Sequence, residues 1–466
     1  MAQIYKFAAE KSNLFLMSRE IRLKKGLNIN LVGEANKVYA TIKPSEKYVV
    51  KPTDFHGMTP KMLVRVGDKV KAGSVLFSDK YMLQVKYCSP VSGEVVAIER
   101  GAKRRILEVV VKADAEQQYE QFAKADAANL SREQIIDAML KAGVWPFVRQ
   151  KPYDIVANPT VTPKAIFISA FNSAPLAIDN DFALYGMEEL FQKGLDFIIK
   201  LTEGKTHLNI DGNTNSSNVF SQAKNVQINK ISGPHPAGNV GVQIHHIDPI
   251  NKGDVIWYLE PQDVITIARL FVEGKYDVSR IIAVAGPQVI KPRYYRVVLG
   301  SRVNNLLDNN VKEGENRIIS GDVLTGTRIE SNDSMGFYDT MITIIEEGKN
   351  SEFFGWILPG LKKFSASRAF SSWLFPSRKY SLNANMHGEE RAYVVTGQYE
   401  KVFPMNIYPH QLVKAIMMED IDLMENLGIY EVSAEDFALC EFVCTSKTEV
   451  QSIVNYGLDL VRKENS

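Results

Sequence analysis

The segment at 233–241, Gly-Pro-His-Pro-Ala-Gly-Asn-Val-Gly, carries two glycines at the separation found in phosphate-binding loops, so nucleotide hydrolysis is the first chemistry to test. The segment fails that test. Asn239 and Val240 stand where a lysine would neutralise phosphate and a Ser or Thr would hold Mg²⁺, and Pro234 and Pro236 remove backbone N–H donors. No G-x-G-x-x-G run follows a predicted strand, so a dinucleotide cradle is not visible either.

Metal chemistry is the second possibility, because His235, His245 and His246 lie close together in the chain. Read as part of a strand, His245 and His246 point to opposite faces and do not share an ion, and no H-E-x-x-H spacing accompanies them. Structural histidines or a polar interface loop are the expectation, with no metal site. Cys440 and Cys444 are four residues apart and would share one face of a helix, but with Cys88 they are the chain's three cysteines, short of the four thiolates an iron–sulfur cluster takes. Two buried thiols in a packing face are expected. No catalytic residue is assigned.

The elements that must carry these residues follow from periodicity. Short strands are predicted over 48–50, 62–66, 75–78, 83–87, 94–98 and 106–111, separated by turn residues such as the Val-Gly-Asp-Lys run at 66–69 and the Ser-Pro-Val-Ser-Gly run at 89–93. That spacing suggests a biotinyl/lipoyl-like β barrel-sandwich. Carrier domains acylate a hairpin lysine, and Lys80 is the residue nearest that position. The stretch to Pro90 is about two residues longer than in the carriers, and Tyr81, Met82 and Leu83 replace small residues, so an ordinary solvated lysine is expected.

Within an acidic, polar, Ala-rich stretch at 116–143, Ser131-Arg132-Glu133-Gln134 gives a partial helix-start signal. Predicted strands at 165–170, 206–210 and 225–228 around a helix at 186–198 make an α/β alternation, read as a Rossmann-like α/β domain. A strand at 254–259, a helix at 262–272 opening at Pro261, and strands at 280–285, 294–299 and 317–320 suit a β-grasp (SLBB-like) domain. Helical periodicity over 411–416 and 448–461 predicts a helical C-terminal domain. The expected class is thus multidomain α/β and α+β, with units at 1–113, 114–256, 257–330 and 331–466.

Composition limits the partners. A length of 466 residues exceeds a single core, and 55 Lys and Arg against 54 Asp and Glu leave a net charge of +1, so no global field favours nucleic acid. The few cysteines fit a reducing compartment. The first 22 residues lack the apolar core of a signal peptide, and no window reaches the roughly 18 apolar residues of a membrane span. Aromatics and cations interleave around Phe353, Phe354 and Trp356, then Lys362 and Lys363, then Trp373, a mixture suited to a membrane boundary or the edge of a membrane partner.

Seven segments in order now carry a resemblance: Gly-Leu-Asn-Ile at 26–29, Asp-Phe-His-Gly-Met-Thr-Pro-Lys-Met-Leu-Val at 54–64, Ser-Pro-Val-Ser-Gly at 89–93, Ile-Glu-Arg-Gly-Ala-Lys-Arg at 98–104, Ser-Gly-Pro-His-Pro-Ala-Gly at 232–238, Phe-Phe-Gly-Trp at 353–356 and Cys-Glu-Phe-Val-Cys at 440–444. Together they resemble the NqrA family of the Na⁺-translocating NADH:quinone oxidoreductase. The resemblance implies a peripheral subunit on the cytoplasmic face of the bacterial inner membrane, in a six-subunit translocase that passes electrons from NADH to quinone and exports Na⁺. It implies flavin and iron–sulfur carriers on other subunits and none on this one, and it makes the membrane-embedded flavin subunit the chief partner. On that footing Gly233, His235, Gly238 and Gly241 become a quinone-proximal or subunit-facing surface, and the aromatic–cation segments become docking sites. A pure interaction scaffold that touches no substrate is the alternative.

Overall fold

The computed structural model describes residues 19–214, 218–349, 360 and 362–465. Between Lys47 and Ala113 two antiparallel sheets pack face to face. One has the order Lys47–Val50, Ile106–Ala113, Gly93–Arg100, Lys69–Val70, and the other Pro60–Met62, Val75–Asp79, Lys86–Cys88. Alternation along Ile106–Ala113 sends Val109 and Val111 inward, as a period of two requires.

The helix Arg132–Ala142 starts as the sequence predicts. The Ser131 hydroxyl accepts the Gln134 N–H, Gln134 returns a bond to the Ser131 N–H, and Gly143 at φ 72° closes the other end. It leads into a seven-stranded sheet ordered Arg19–Arg22, Gln227–Ser232, Lys205–Asp211, Ala165–Ser169, Ile256–Leu259, Arg149–Lys151, Ile155–Val156. The first five strands are parallel. Both faces are covered: Ile166, Ile168, Leu208 and Trp257 join the core shared with the barrel, while Ala165, Phe167, Ile256 and Tyr258 face the helices of the C-terminal region. Those helices, chiefly Pro409–Met417 and Val450–Glu464, complete the α/β sandwich.

A six-stranded mixed sheet follows, ordered Thr327–Ile329, Asn316–Ser320, Met341–Glu346, Ser279–Ala285, Arg293–Val298, Asn36–Ala40. The helix expected within this unit, observed as Pro261–Glu273, packs instead against Glu188–Ile198, where Gly194 lets the Val264 backbone come close. Pro261 pre-sets its first turn, Glu260 and Asp263 form a capping box, and Gly274 at φ 71° ends it. Every residue from Pro261 to Phe271 is buried, because its second flank meets the six-stranded sheet. There the Gln262 amide bonds both the N–H and the carbonyl of Ile281, at 2.7 and 2.8 Å. The helix therefore ties two sheets together.

The N-terminal segment, grouped by sequence with the barrel, belongs elsewhere in space. Arg19–Arg22 runs parallel to Gln227–Ser232, and Asn36–Ala40 runs parallel to Arg293–Val298. No helix among the described residues is long and apolar enough to cross a membrane.

Candidate functional site

Strand Gln227–Ser232 delivers the chain to the carboxyl edge of the parallel sheet, and helix Val240–Ile247 leaves from it. The intervening turn lies beside the end of the central strand Ala165–Ser169, from which the chain crosses in both directions along the sheet. In open parallel sheets such a switch point is where crevices form. Here the crevice is filled by protein.

Gly233, His235, Gly238 and Gly241 are brought together in that turn. His235 is 2% exposed, and its imidazole Nδ1 lies 3.0 Å from the Ser173 hydroxyl. The same hydroxyl accepts the Gly238 N–H at 2.7 Å. The Asn28 side chain accepts the His235 N–H at 2.9 Å, and the His235 carbonyl accepts the Leu27 N–H at 2.8 Å. Burial pulls the His235 pKa down to about 4, so the ring is neutral near pH 7. Its Nε2 finds no hydrogen-bond partner among the described residues. Glycine is required at 238, where a Cβ would meet the Ser173 backbone nitrogen at 2.3 Å, and at 241, where it would strike the Asp436 carboxylate at 2.5 Å. Gly233, at φ +147°, packs on the Leu23 carbonyl.

The expectation that His245 and His246 lie in a strand is corrected. Both sit on helix Val240–Ile247, each with its own partner. His245 Nδ1 is 2.6 Å from Glu431 Oε2, its Nε2 accepts the Asn406 N–H at 2.9 Å, and His246 Nε2 is 2.9 Å from the Pro404 carbonyl. These bonds fasten the helix to the C-terminal region. Among the described residues no three His, Cys, Asp or Glu side chains gather as a metal site. Cys440 and Cys444 are both buried and unbonded to one another.

A second constellation went unnoticed in the sequence. An open cleft of roughly 590 Å³ lies where the barrel, the α/β sheet, the six-stranded unit and the C-terminal helices meet, lined by Asp54, Arg149, Asp154, Tyr338, Glu435 and Glu449 among others. The Arg149 guanidinium stacks between the Tyr258 and Tyr338 rings, 4.4 Å from each centroid, with Glu260 at 3.4 Å. Behind it Lys151 Nζ, 1% exposed, stands 3.7 Å from both Asp154 and Glu435. Burial pushes the carboxyls of Asp54, Glu260 and Glu435 up to about 7, against the pull of Lys51, Arg149 and Lys151 respectively. Burial thus favours the protonated form of these three carboxyls over that of an exposed one. The turn at 233–241 adjoins the cleft: the Asn239 amide donates to the Glu435 carbonyl at 3.2 Å.

Of the docking residues, Phe353, Phe354 and Trp356 lie outside the described residues. Lys362 and Trp373 are exposed, and Lys363 Nζ lies over the Phe370 ring at 5.4 Å. Lys80 is exposed at the end of Val75–Asp79, beside the Tyr81 ring.

Two packed antiparallel sheets, an α/β layer and a mixed sheet joined around a cleft define a mixed α/β and α+β protein. Three family descriptions match in succession: "NqrA N-terminal barrel-sandwich hybrid domain" over 21–114, "NqrA second alpha/beta domain" over 130–276 and "NQRA C-terminal domain" over 281–331. The NqrA subunit of the Na⁺-translocating NADH-quinone reductase from Pasteurella multocida is 38% identical over 95% of this chain and 100% of its own length. The corresponding subunits from Photorhabdus laumondii (37%) and Vibrio alginolyticus (36%) match over the same shares. The chain belongs to the NqrA family of the Na⁺-translocating NADH-quinone reductase. It is accordingly one subunit of an oxidoreductase complex. Among solved structures, an NAD⁺-reducing [NiFe]-hydrogenase in the air-oxidized state overlaps 48% of this chain and 48% of its own at 12% identity and a TM-score of 0.34, a likeness too low to carry an argument.

Proposed function

We propose that this chain works as the peripheral subunit of a six-subunit complex on the cytoplasmic face of the bacterial inner membrane, coupling electron transfer from NADH to quinone to Na⁺ export. The observation that carries this is the full-length identity with proteins named as subunits of the Na⁺-translocating NADH-quinone reductase. In this reading flavins and iron–sulfur centres sit on other subunits and this chain holds no redox cofactor. The units expected at 1–113, 114–256, 257–330 and 331–466 are read as a biotinyl/lipoyl-like barrel, a Rossmann-like domain, a β-grasp domain and a helical domain, except that Arg19–Arg22 and Asn36–Ala40 pair with the second and third units and Met341–Glu346 belongs with the third. The order of the hairpin Ser279–Ala285 and Arg293–Val298 beside a parallel Met341–Glu346 supports the β-grasp label. Phe353, Phe354, Trp356, Lys362, Lys363 and Trp373 face the membrane side of the complex, at the lipid boundary or the edge of the membrane-embedded flavin subunit.

Affinity-tagging the chain in its native cells, dissolving the membranes gently and assaying Na⁺-stimulated NADH:quinone reduction tests this. Recovery of membrane flavoproteins with that activity is expected, and a lone chain without partners would overturn the reading.

The turn with Gly233, His235, Gly238 and Gly241 forms a quinone-proximal or subunit-facing surface in this reading. One observation favours the scaffold alternative, in which the chain holds its neighbours in register and touches no substrate: His235 is closed over by Ser173, Asn28 and Leu27. A His235→Ala complex that assembles normally and reduces quinone at the wild-type rate would leave the scaffold role alone standing.

A further inference from the structure

We propose that the exposed turn carrying Trp373, Leu374 and Phe375 seats directly on an anionic lipid headgroup surface; this rests on reading the chain as a peripheral member of a membrane complex. Three consecutive large apolar side chains are exposed by 53%, 54% and 52%, in and just after the one-turn helix Ser371–Leu374. Singly exposed apolar residues are ordinary, but a run of three on an exposed turn costs solvation unless something covers it.

The turn is held in place. Ser372 is buried, and its hydroxyl bonds both the N–H and the carbonyl of Ser365. On the far side the Asn30 amide donates to the Pro376 carbonyl at 2.8 Å, while the buried Tyr380 exchanges backbone bonds with Asn30 and Val32. Fixed at both ends, the backbone presents the three side chains outward.

Charge supplies the identity of the partner. Between Glu352 and Glu389 the chain contains no acidic residue and five cations, Lys362, Lys363, Arg368, Arg378 and Lys379, in a protein whose overall charge is +1. Lys379 pairs with Glu34 at 2.8 Å. The guanidinium of Arg368 lies over the Trp373 ring and that of Arg378 over the Tyr380 ring, each at 5.5 Å, and among the described residues neither has a carboxylate within 4.0 Å. A headgroup layer accepts both components at once: phosphates take the cations, and the acyl boundary takes the rings.

The test is co-sedimentation of the full chain with vesicles of phosphatidylcholine alone and of phosphatidylcholine mixed with phosphatidylglycerol. Binding to the anionic vesicles is expected to exceed binding to neutral ones by about tenfold or more and to weaken as salt is raised. The triple variant W373S/L374S/F375S, with an unchanged circular dichroism spectrum, should fall to the neutral-vesicle level, and R368Q/R378Q should weaken binding to the anionic vesicles. A wild-type chain that ignores anionic vesicles overturns the proposal, as does a triple variant that binds like wild type. Loss of the triple variant from the detergent-dissolved complex, without vesicle binding by the wild type, would assign the turn to a protein partner and overturn it too. Vesicle binding by a chain that captures no membrane subunits would sustain the lipid contact while removing the complex.

Discussion

Arg280 and Asp263 face each other at 3.0 Å with side chains 3% and 1% exposed, joining the six-stranded sheet to the helix that packs on the α/β layer. Removing one partner strands the other charge in the interior. Arg280→Met should lower unfolding free energy by about 3–5 kcal/mol, and Arg280→Met/Asp263→Asn, which leaves no charge, should recover much of it. Urea unfolding of the two variants checks this; equal losses would mean that packing, not charge, fixes the junction.

His235 sets a pH dependence whose sign follows from its environment. Its folded pKa, about 4, lies below the unfolded value near 6.5, so the unfolded chain binds the extra proton as pH falls between them. Stability from this residue is full above about pH 6.5 and is lost toward pH 4, by roughly 3 kcal/mol in all. The Asp54 carboxyl, raised to about 7, acts with the opposite slope, its contribution being present at acid pH and lost as pH rises through 7. The informative comparison is therefore wild type against His235→Gln, with unfolding midpoints measured at pH 7 and pH 5. The variant should lose less between them.

Gly238→Ala forces a methyl group into the Ser173 backbone nitrogen, which cannot yield without moving the central strand's exit. A loss of about 1–3 kcal/mol is expected, the range for overpacking a close contact. Calorimetry checks it. Gly253→Ala serves as a partial control, since nothing lies within 4 Å of its added Cβ although its φ of +90° carries strain of its own.

Lys151→Met leaves Asp154 and Glu435 facing one another without the cation between the α/β sheet and the C-terminal region. A cost of about 3 kcal/mol or more is expected. Limited proteolysis should then cut first around the 3-10 turn Ala434–Phe437, whereas the wild-type chain should resist there.

Local signals were legible in the sequence and distant pairings were not. Ser131 and Gln134 announce a helix because the capping box is built within three residues, and Pro261 does so because its ring fixes the first turn. Helix Val240–Ile247 was obscured by its β-branched residues, which favour a strand until tertiary packing decides. The glycines and histidine of the turn stood out by composition, yet Ser173 and Asn28, which hold His235, lie 62 and 207 residues away and carry no local mark. Arg149 and Lys151 carry no local mark of burial either, and only the Tyr258 and Tyr338 rings and the four-way junction show why they are inside.

The strand Arg19–Arg22 meets its partner Asn229 only after some 210 further residues have been joined. At about 5–20 residues per second of synthesis, the start of the chain waits on the order of 10–40 seconds before that edge exists. The barrel, whose strands pair within one stretch of the chain, can close during the interval, while Arg19–Arg22 and Asn36–Ala40 still lack their sheet partners. Their insertion is a late step, and it caps the open edges of two sheets together. A nascent chain stalled before Asn229 should hold a finished barrel and leave Arg19–Ala40 within reach of a chaperone.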